Sequence, residues 1–262
     1  MLMSKEQIEF LKKIKRKKRI ILIIQISITV LFLSLWQYAA DKNWINTFIY
    51  SSPKRIIETI IKLYKDKSLL HHIWITLYEV IISFSLSSIL GIILAALLWR
   101  YTFLYKVLDP YLTILNSMPK VSLGPIIIII AGASTKSIIL TALLISLIIT
   151  IIDVHHAFKE TDENKIKLMK SLKATKSQIF YKLILPSNFI NLIKICKVNL
   201  SLTFVGVITG EFLVSKSGIG YLIMYGSQVF NLSLVMTGII LIAIIASLLY
   251  FLVIKIEKAI KI

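Results

Sequence analysis

The chain has 262 residues, of which 57% are hydrophobic and only 17% are charged. Because ordinary soluble domains carry roughly 25% charged residues, this composition excludes a typical soluble enzyme and a disordered chain. Lys and Arg outnumber Asp and Glu by 31 to 13, a net charge of +18. In so apolar a chain this charge favours a lipid surface over nucleic acid as partner. The single cysteine, Cys196, excludes an internal disulfide, and no Cys/His spacing resembles a zinc site.

Six apolar segments are long enough to cross a bilayer, since a spanning helix needs about 20 apolar residues. The first follows the basic run 12–19, but it is too long for a signal peptide and lacks a small-residue cleavage site. The third contains Pro119 and Pro125, which can break a helix. We therefore predict an all-α integral membrane protein with six transmembrane helices. They lie at 20–40, 73–99, 111–133, 135–152, 189–212 and 234–254.

The distribution of positive charge predicts the orientation of these spans. Six spans place both termini on one side, and on that side lie 20 of the 31 basic residues, against eight on the other. Since cytoplasmic segments carry the excess of Lys and Arg, we expect both termini to be cytoplasmic. The predicted parts are a basic N-terminus 1–19, a first helix 20–40, an external amphipathic segment 41–72, a five-helix core 73–254 and a cytoplasmic tail 255–262.

The longest cytoplasmic connection, 153–185, holds two short helical patterns. Between them Thr175 is followed three residues later by Gln178, the spacing of a capping box that starts a helix. A short helix with exposed apolar side chains is typical of segments that bind a groove on another protein. The alternative is that the loop packs on its own helical bundle.

Several stretches resemble, in order and spacing, one family of bacterial membrane proteins. The cytoplasmic loop contains 171–180 (SLKATKSQIF) and then 183–186 (LILP). Farther along comes 206–223 (GVITGEFLVSKSGIGYLI), while Thr76-Leu77, Asp109-Pro110 and Met118-Pro119 lie upstream. Together these residues are similar to the permeases of ATP-binding-cassette (ABC) importers, in the nitrate/sulfonate/taurine branch, over about residues 53–254.

The resemblance implies a MetI-like permease bundle, two copies of which form a homodimer in the bacterial cell membrane. Each copy would bind an ABC ATPase subunit, and an external solute-binding protein would deliver the solute. ATP would be bound by the ATPase, so we expect no catalytic residue, metal or cofactor in this chain. The loop 153–185 would be the coupling loop that docks on the ATPase. Its docking positions are Lys167, Leu168, Met169, Leu172, Lys173, Ala174 and Thr175.

Five positions depart from the family pattern. The family's loop opens with Glu-Ala-Ala, where this chain has 167–169 (KLM), and it has a Gly where this chain has Lys173. The Arg usual two residues after the Thr76-Leu77 pair is Glu79 here. These departures are consistent either with a divergent ATPase partner or with a degenerate paralogue.

A second group of residues is expected to line the translocation path or its external gate, at 211–230. Glu211 and Glu79 are ionisable groups near membrane depth, which favours a functional role, although each can instead sit at the water interface. Lys197 is either a cationic lining or a residue that extends toward lipid head groups. The group comprises Glu211, Gly206, Gly218, Gly220, Lys197 and Glu79.

Two other functions remain open on the sequence alone. One is a membrane scaffold that binds another protein without transport, and the other is an ion-coupled carrier that works by itself. A carrier of that kind usually contains inverted repeats, which this sequence lacks. The solute is expected to be nitrate, a sulfonate, taurine or a thiamine-precursor pyrimidine, as in the family branch.

Overall fold

The computed structural model describes residues 5–260, so the predicted segments 1–19 and 255–262 each extend beyond the described part. The regular elements there are helices. A 3₁₀ turn, Lys120–Leu123, precedes α6, and a π turn, Phe180–Ile184, joins α9 to α10. The α-helices are α1 (Lys5–Asp41), α2 (Thr47–Tyr50), α3 (Pro53–Lys65), α4 (Leu69–Arg100), α5 (Thr102–Ser117), α6 (Gly124–Ala131), α7 (Thr135–Lys159), α8 (Glu163–Ser171), α9 (Lys176–Ile179), α10 (Leu185–Val214), α11 (Ile219–Gln228) and α12 (Leu232–Ile260).

Five of these helical stretches are long and apolar enough to cross a membrane. They are Arg16–Asp41 in α1, α4, α7, the continuous stretch Lys176–Val214 and Leu232–Ala259 in α12. A sixth span exists if α5 and the helical segment Lys120–Ala131, which are bent by 92° relative to each other, cross together. The prediction of an all-α membrane protein is confirmed.

The predicted third span, 111–133, is not one straight helix. Helix α5 ends at Ser117, and Met118 is extended with ψ of 146° before Pro119. Proline lacks an N–H donor and disfavours the helical conformation of the residue before it, so the helix ends there. Pro125 has the opposite effect, because it lies in the first turn of α6, where no N–H partner is needed.

Helices α4, α7 and α10 form the centre of the bundle, and small residues let them approach closely. Gly206 and Gly210, one turn apart on α10, face α7; a Cβ on Gly206 would lie 2.5 Å from Cα of Ala142. Since lipid is as apolar as a Leu side chain, close packing of small residues is a main source of helix association in membranes. The buried hydroxyls of Thr141 and Thr150 are satisfied within α7, where each donates to the carbonyl four residues earlier.

The predicted amphipathic helix before the core is α3. Its N-cap is Ser52, whose Oγ accepts a hydrogen bond from the amide of Arg55, and Pro53 occupies its first turn. Ile56 is buried on the side that faces the bundle, while Ile57 and Ile61 are exposed. The next helix begins earlier than the predicted span 73–99, so that His71 and His72, which precede that span, lie in the first turn of α4.

Candidate functional site

The candidate gate is the turn between α10 and α11, together with the start of α11. A helix begins with N–H groups that have no partner within the helix. Here two side chains of α4 accept the first two: His72 Nδ1 accepts from the Gly218 amide at 3.0 Å, and Thr76 Oγ1 accepts from the Ile219 amide at 2.8 Å. The start of α11 is therefore hydrogen-bonded to a helix far away in sequence.

Glu211, near the end of α10, accepts the next two N–H groups. Its Oε2 accepts from the amides of Gly220 at 2.5 Å and Tyr221 at 3.4 Å, and its Oε1 accepts from Thr76 Oγ1 at 2.6 Å. The residue is only 1% exposed. A carboxylate is stabilised at a helix N-terminus by the free N–H groups and the helix dipole. Glu211 thus joins α4, α10 and α11 at one buried point.

Glu79 lies one turn after Thr76 on α4 and is completely buried. Its side chain interacts directly with that of Glu211 and also with Thr135 at the start of α7. Neither of its oxygens has a hydrogen-bond donor of normal geometry among residues 5–260. The structure therefore brings together two carboxyl groups that the sequence marked separately.

The glycines of the predicted gate have different roles. Gly218 has φ of +115°, a conformation that L side chains rarely adopt, and a Cβ there would overlap the carboxyl of Glu211. A Cβ on Gly220 would lie 2.8 Å from Oε2 of Glu211. Both positions must stay small for the carboxylate to reach the start of α11. Gly206 lies away from them, in the contact between α10 and α7.

Lys197, predicted to line the path or to reach the lipid surface, instead forms a buried ion pair. Its Nζ contacts Oε2 of Glu257 on α12, and the two side chains are 17% and 11% exposed. The pair fixes α10 to α12. Lys194, one turn earlier on α10, is exposed.

The predicted coupling loop, 153–185, starts within the last turns of α7 and contains α8, which ends in a Schellman motif. The amide of Ala174 donates to the carbonyl of Met169 at 3.0 Å, and that of Lys173 donates to the carbonyl of Lys170 at 2.9 Å. This motif needs a left-handed residue after the helix, usually Gly. Lys173 has φ of +55°, and it occupies the position where the resembled family has Gly.

The apolar side chains of α8 and of the turn after it divide between two surfaces. Met169 and Ala174 pack on a buried cluster that includes Phe158 and Ile184. Leu168 and Leu172 point away from it and are 60% and 70% exposed.

The charged and capping residues of the loop are at its surface. Lys167 forms an exposed pair with Glu163 at 3.7 Å. Thr175 and Gln178 form the predicted capping box: the Gln178 amide donates to Thr175 Oγ1 at 3.3 Å, and Gln178 Oε1 accepts from the Thr175 amide at 2.8 Å. The capping-box prediction is confirmed.

Sequence reasoning missed the contacts of three residues. It assigned no role to His72 or Thr76, although both lie in the stretch that resembles the family, and it did not identify Glu257. Their partners are far away in the chain; Thr76 and Glu211 are 135 residues apart. In the described part of the chain, no group of three or more His, Cys, Asp and Glu side chains is arranged to hold a metal ion.

Comparison with known proteins identifies the family. Residues 87–261 match the model of the binding-protein-dependent transport system inner membrane component. The putative aliphatic sulfonates transport permease protein SsuC of Bacillus subtilis is 25% identical over 94% of this chain and 89% of its own. The formylaminopyrimidine transport permease protein ThiX of Halalkalibacterium halodurans is 26% identical over 74% of this chain and 78% of its own.

The fold has a counterpart among solved structures. A chain of the MetNI methionine ABC transporter in an inward-facing conformation superposes with a TM-score of 0.66, at 19% identity, over 74% of this chain and 97% of that one. This likeness confirms the predicted MetI-like bundle. Because the family model covers most of the chain, the protein belongs to the family of binding-protein-dependent transport system inner membrane components, and is a multi-pass permease of the bacterial cell membrane.

Proposed function

We propose that this permease is the membrane subunit of an ABC importer that takes a small solute from an external binding protein and releases it in the cytoplasm by alternating access. An ATPase subunit would dock on the coupling loop, and two copies of the chain would form the pore. The solute would be of the kind handled by relatives named for aliphatic sulfonates, formylaminopyrimidine, nitrate and taurine. The binding protein, rather than this chain, would set most of the selectivity.

One observation carries this proposal: a single helical stretch connects the coupling loop to the gate. The stretch Lys176–Val214 has 39 residues, begins at the capping box beside α8 and contains Glu211 in its last turn. At 1.5 Å per residue it is about 58 Å long, enough to cross the bilayer. A movement of α8 would therefore be transmitted to the gate by a rigid element, as rigid-body switching requires.

The surface of α8 supports a docking role. Leu168 and Leu172 are exposed, although α8 is held on the bundle by Met169 and Ala174. Anchoring on one face and apolar exposure on the other is the pattern of a helix that enters a groove. The family's Glu-Ala-Ala is replaced, but the turn after α8 and the capping box that follows are intact. This favours a working coupling loop over a degenerate paralogue or a scaffold.

The docking is tested by affinity purification of the tagged chain from its native membranes, with the copurified ATPase quantified by its ATP hydrolysis. We expect the Leu168→Asp/Leu172→Asp variant to copurify with no more than about one tenth of the wild-type ATPase activity, because two charges would enter an apolar groove. The matched control is Val229→Asp, at an exposed apolar position in the turn after α11.

Two results would reject the importer. The first is wild-type protein that copurifies no ATPase, and the second is a double variant that retains as much ATPase as the control. A complex that binds ATPase but hydrolyses ATP at one rate with and without the binding protein would instead favour the scaffold. Uptake of a radiolabelled sulfonate into proteoliposomes that contain the complete complex then tests the solute class.

A further inference from the structure

Glu79 and Glu211 form a buried carboxyl pair whose role the proposed transport function does not explain. They are 0% and 1% exposed, and their side chains interact directly. Two carboxylates in contact cannot both remain ionised in a site shielded from water, because the repulsion between like charges is not screened there. The pair therefore needs a positive charge or a proton.

The described surroundings supply no positive charge. Helices α6 and α11 contain no Asp, Glu, Lys, Arg or His, and α12 contains none before Lys255. His72 accepts a hydrogen bond at Nδ1, which requires a neutral imidazole. Lys67, twelve residues before Glu79, Lys136, next to Thr135, and Lys216, five residues after Glu211, are all exposed. Thr135 is the other side chain that interacts with Glu79, and it carries no charge.

The hydrogen bonds of the two residues are unequal. Glu211 accepts from Thr76 and from the amides of Gly220 and Tyr221, which stabilises its ionised form. Glu79 has two buried oxygens without a donor of normal geometry. A protonated Glu79 would donate its O–H to Glu211, and the unfavourable contact would become a charge-assisted hydrogen bond.

We propose that Glu79 and Glu211 together bind one proton, held on Glu79, and that this proton fixes the gate on α4. With the proton present, α4 and α10 are linked through the two carboxyl groups, and Glu211 keeps its bonds to the start of α11. When the proton leaves to water, two adjacent carboxylates repel each other and the link between α4 and the gate weakens. The site is thus an acid-stabilised latch at the α4–α10–α11 junction, and its existence does not depend on the solute or on the ATPase.

The direct test is infrared spectroscopy of the full-length purified protein at about pH 7, where an unperturbed Glu is ionised. A protonated carboxyl gives a C=O stretching band that a carboxylate lacks, and the band shifts in D₂O. We expect such a band in the wild type and its loss in Glu79→Gln. Asp153→Asn is the matched control, since Asp153 is a partly buried carboxyl of α7 away from the pair; its variant should retain the band.

The second test follows thermal unfolding by Trp fluorescence from about pH 6 to about pH 9, because linked proton binding makes stability depend on pH. The native pair keeps a proton that an unfolded Glu has already lost, so the native state binds more protons. The contribution of the pair to stability must then fall as pH rises, by up to about a tenfold change in the unfolding constant per pH unit. In Glu79→Gln the side-chain amide donates to Glu211 and does not titrate. The dependence of the unfolding free energy on pH should then correspond to up to one proton fewer than in the wild type.

Three outcomes would overturn the proposal. One is the absence of a protonated-carboxyl band at neutral pH, and the second is a band that Glu79→Gln does not change. The third is a thermal stability that does not depend on pH but changes when sodium or potassium chloride replaces choline chloride. That result would indicate a monovalent metal cation between the carboxylates. None of these outcomes bears on ATPase docking, so the latch and the importer function are tested separately.

Discussion

Lys173 occupies a position that the main chain makes suitable for glycine. Its φ is +55°, and it closes the Schellman motif at the end of α8. A side chain costs free energy there, because Cβ crowds the backbone in the left-handed region. We expect Lys173→Gly to stabilise the protein by about 0.5–1 kcal/mol. The measurement is thermal unfolding of the purified protein in detergent.

Lys170→Gly is the control for this comparison. Lys170 is exposed in the last turn of α8, where glycine costs about 1 kcal/mol by its helix propensity. Opposite shifts for the two variants would confirm that the conformation of residue 173, rather than the removal of a lysine, is responsible. A Lys173→Gly protein that is no more stable than the wild type would contradict this interpretation.

The ion pair between Lys197 and Glu257 can also be tested by substitution of a single residue. The pair is largely buried between α10 and α12. Removal of one partner from a buried pair leaves an uncompensated charge, so Lys197→Met is expected to cost about 3 kcal/mol. Lys194→Met, one turn away and exposed, should change stability by less than about 0.5 kcal/mol. Equal losses in the two variants, measured by thermal unfolding, would show that the ion pair does not stabilise the bundle.

At this scale the sequence identified the ionisable residues but not their partners. Glu79, Lys197 and Glu211 attract notice because charges are rare in apolar segments. Nothing local reveals that Glu79 meets Glu211 or that Lys197 meets Glu257, because these contacts depend on how distant helices pack. The Schellman turn is the opposite case: its hydrogen bonds are local, and the Gly that the family has at this position is a local signal from which the left-handed conformation of Lys173 could have been predicted.

Among the elements, the contact between α7 and α10 is close and depends on Gly206. A Cβ there would lie 2.5 Å from Cα of Ala142, and main-chain atoms cannot move aside as a flexible side chain does. We expect Gly206→Ala to push the helices apart and to cost about 1–3 kcal/mol, as overpacking does. Val205→Ala, on the exposed face of the same helix, is the control. Unchanged thermal stability of Gly206→Ala would mean that the two helices are not tightly packed in the membrane.

The helices themselves were largely predictable, because hydropathy is a local property. The predicted spans other than the third each fall within one of the long apolar helical stretches, although the stretches extend beyond the predicted bounds. The prolines of the third span indicated where a helix can break, but the bend of 92° after α5 was not predicted, since length and composition do not specify an angle. Pro119 carried the signal, and its effect on Met118 explains where the helix ends.

Over the whole molecule, the ends of one long helical stretch have different attachments. At the end beside α8 it is preceded in the chain by two exposed apolar side chains, Leu168 and Leu172. At the other end, side chains of α4 and α10 accept the first four amides of the gate, Gly218 to Tyr221. A gate held by a few buried hydrogen bonds can open when a small free energy is supplied, because each is worth only about 0.5–1.5 kcal/mol net.

The attachment of the gate to α4 can be tested at Thr76. Its hydroxyl donates to Glu211 and accepts from the amide of Ile219. Thr76→Val keeps the shape and removes both bonds. We expect amide hydrogen exchange at 218–221 to accelerate by roughly tenfold or more, because a buried donor left unpaired costs about 1–3 kcal/mol. Thr141→Val is the matched control: Thr141 is equally buried, but its hydroxyl bonds only within α7. If 218–221 exchanged at the same rate in both variants, α4 would not hold the gate, and movement of α10 would have to open it without any link to α4.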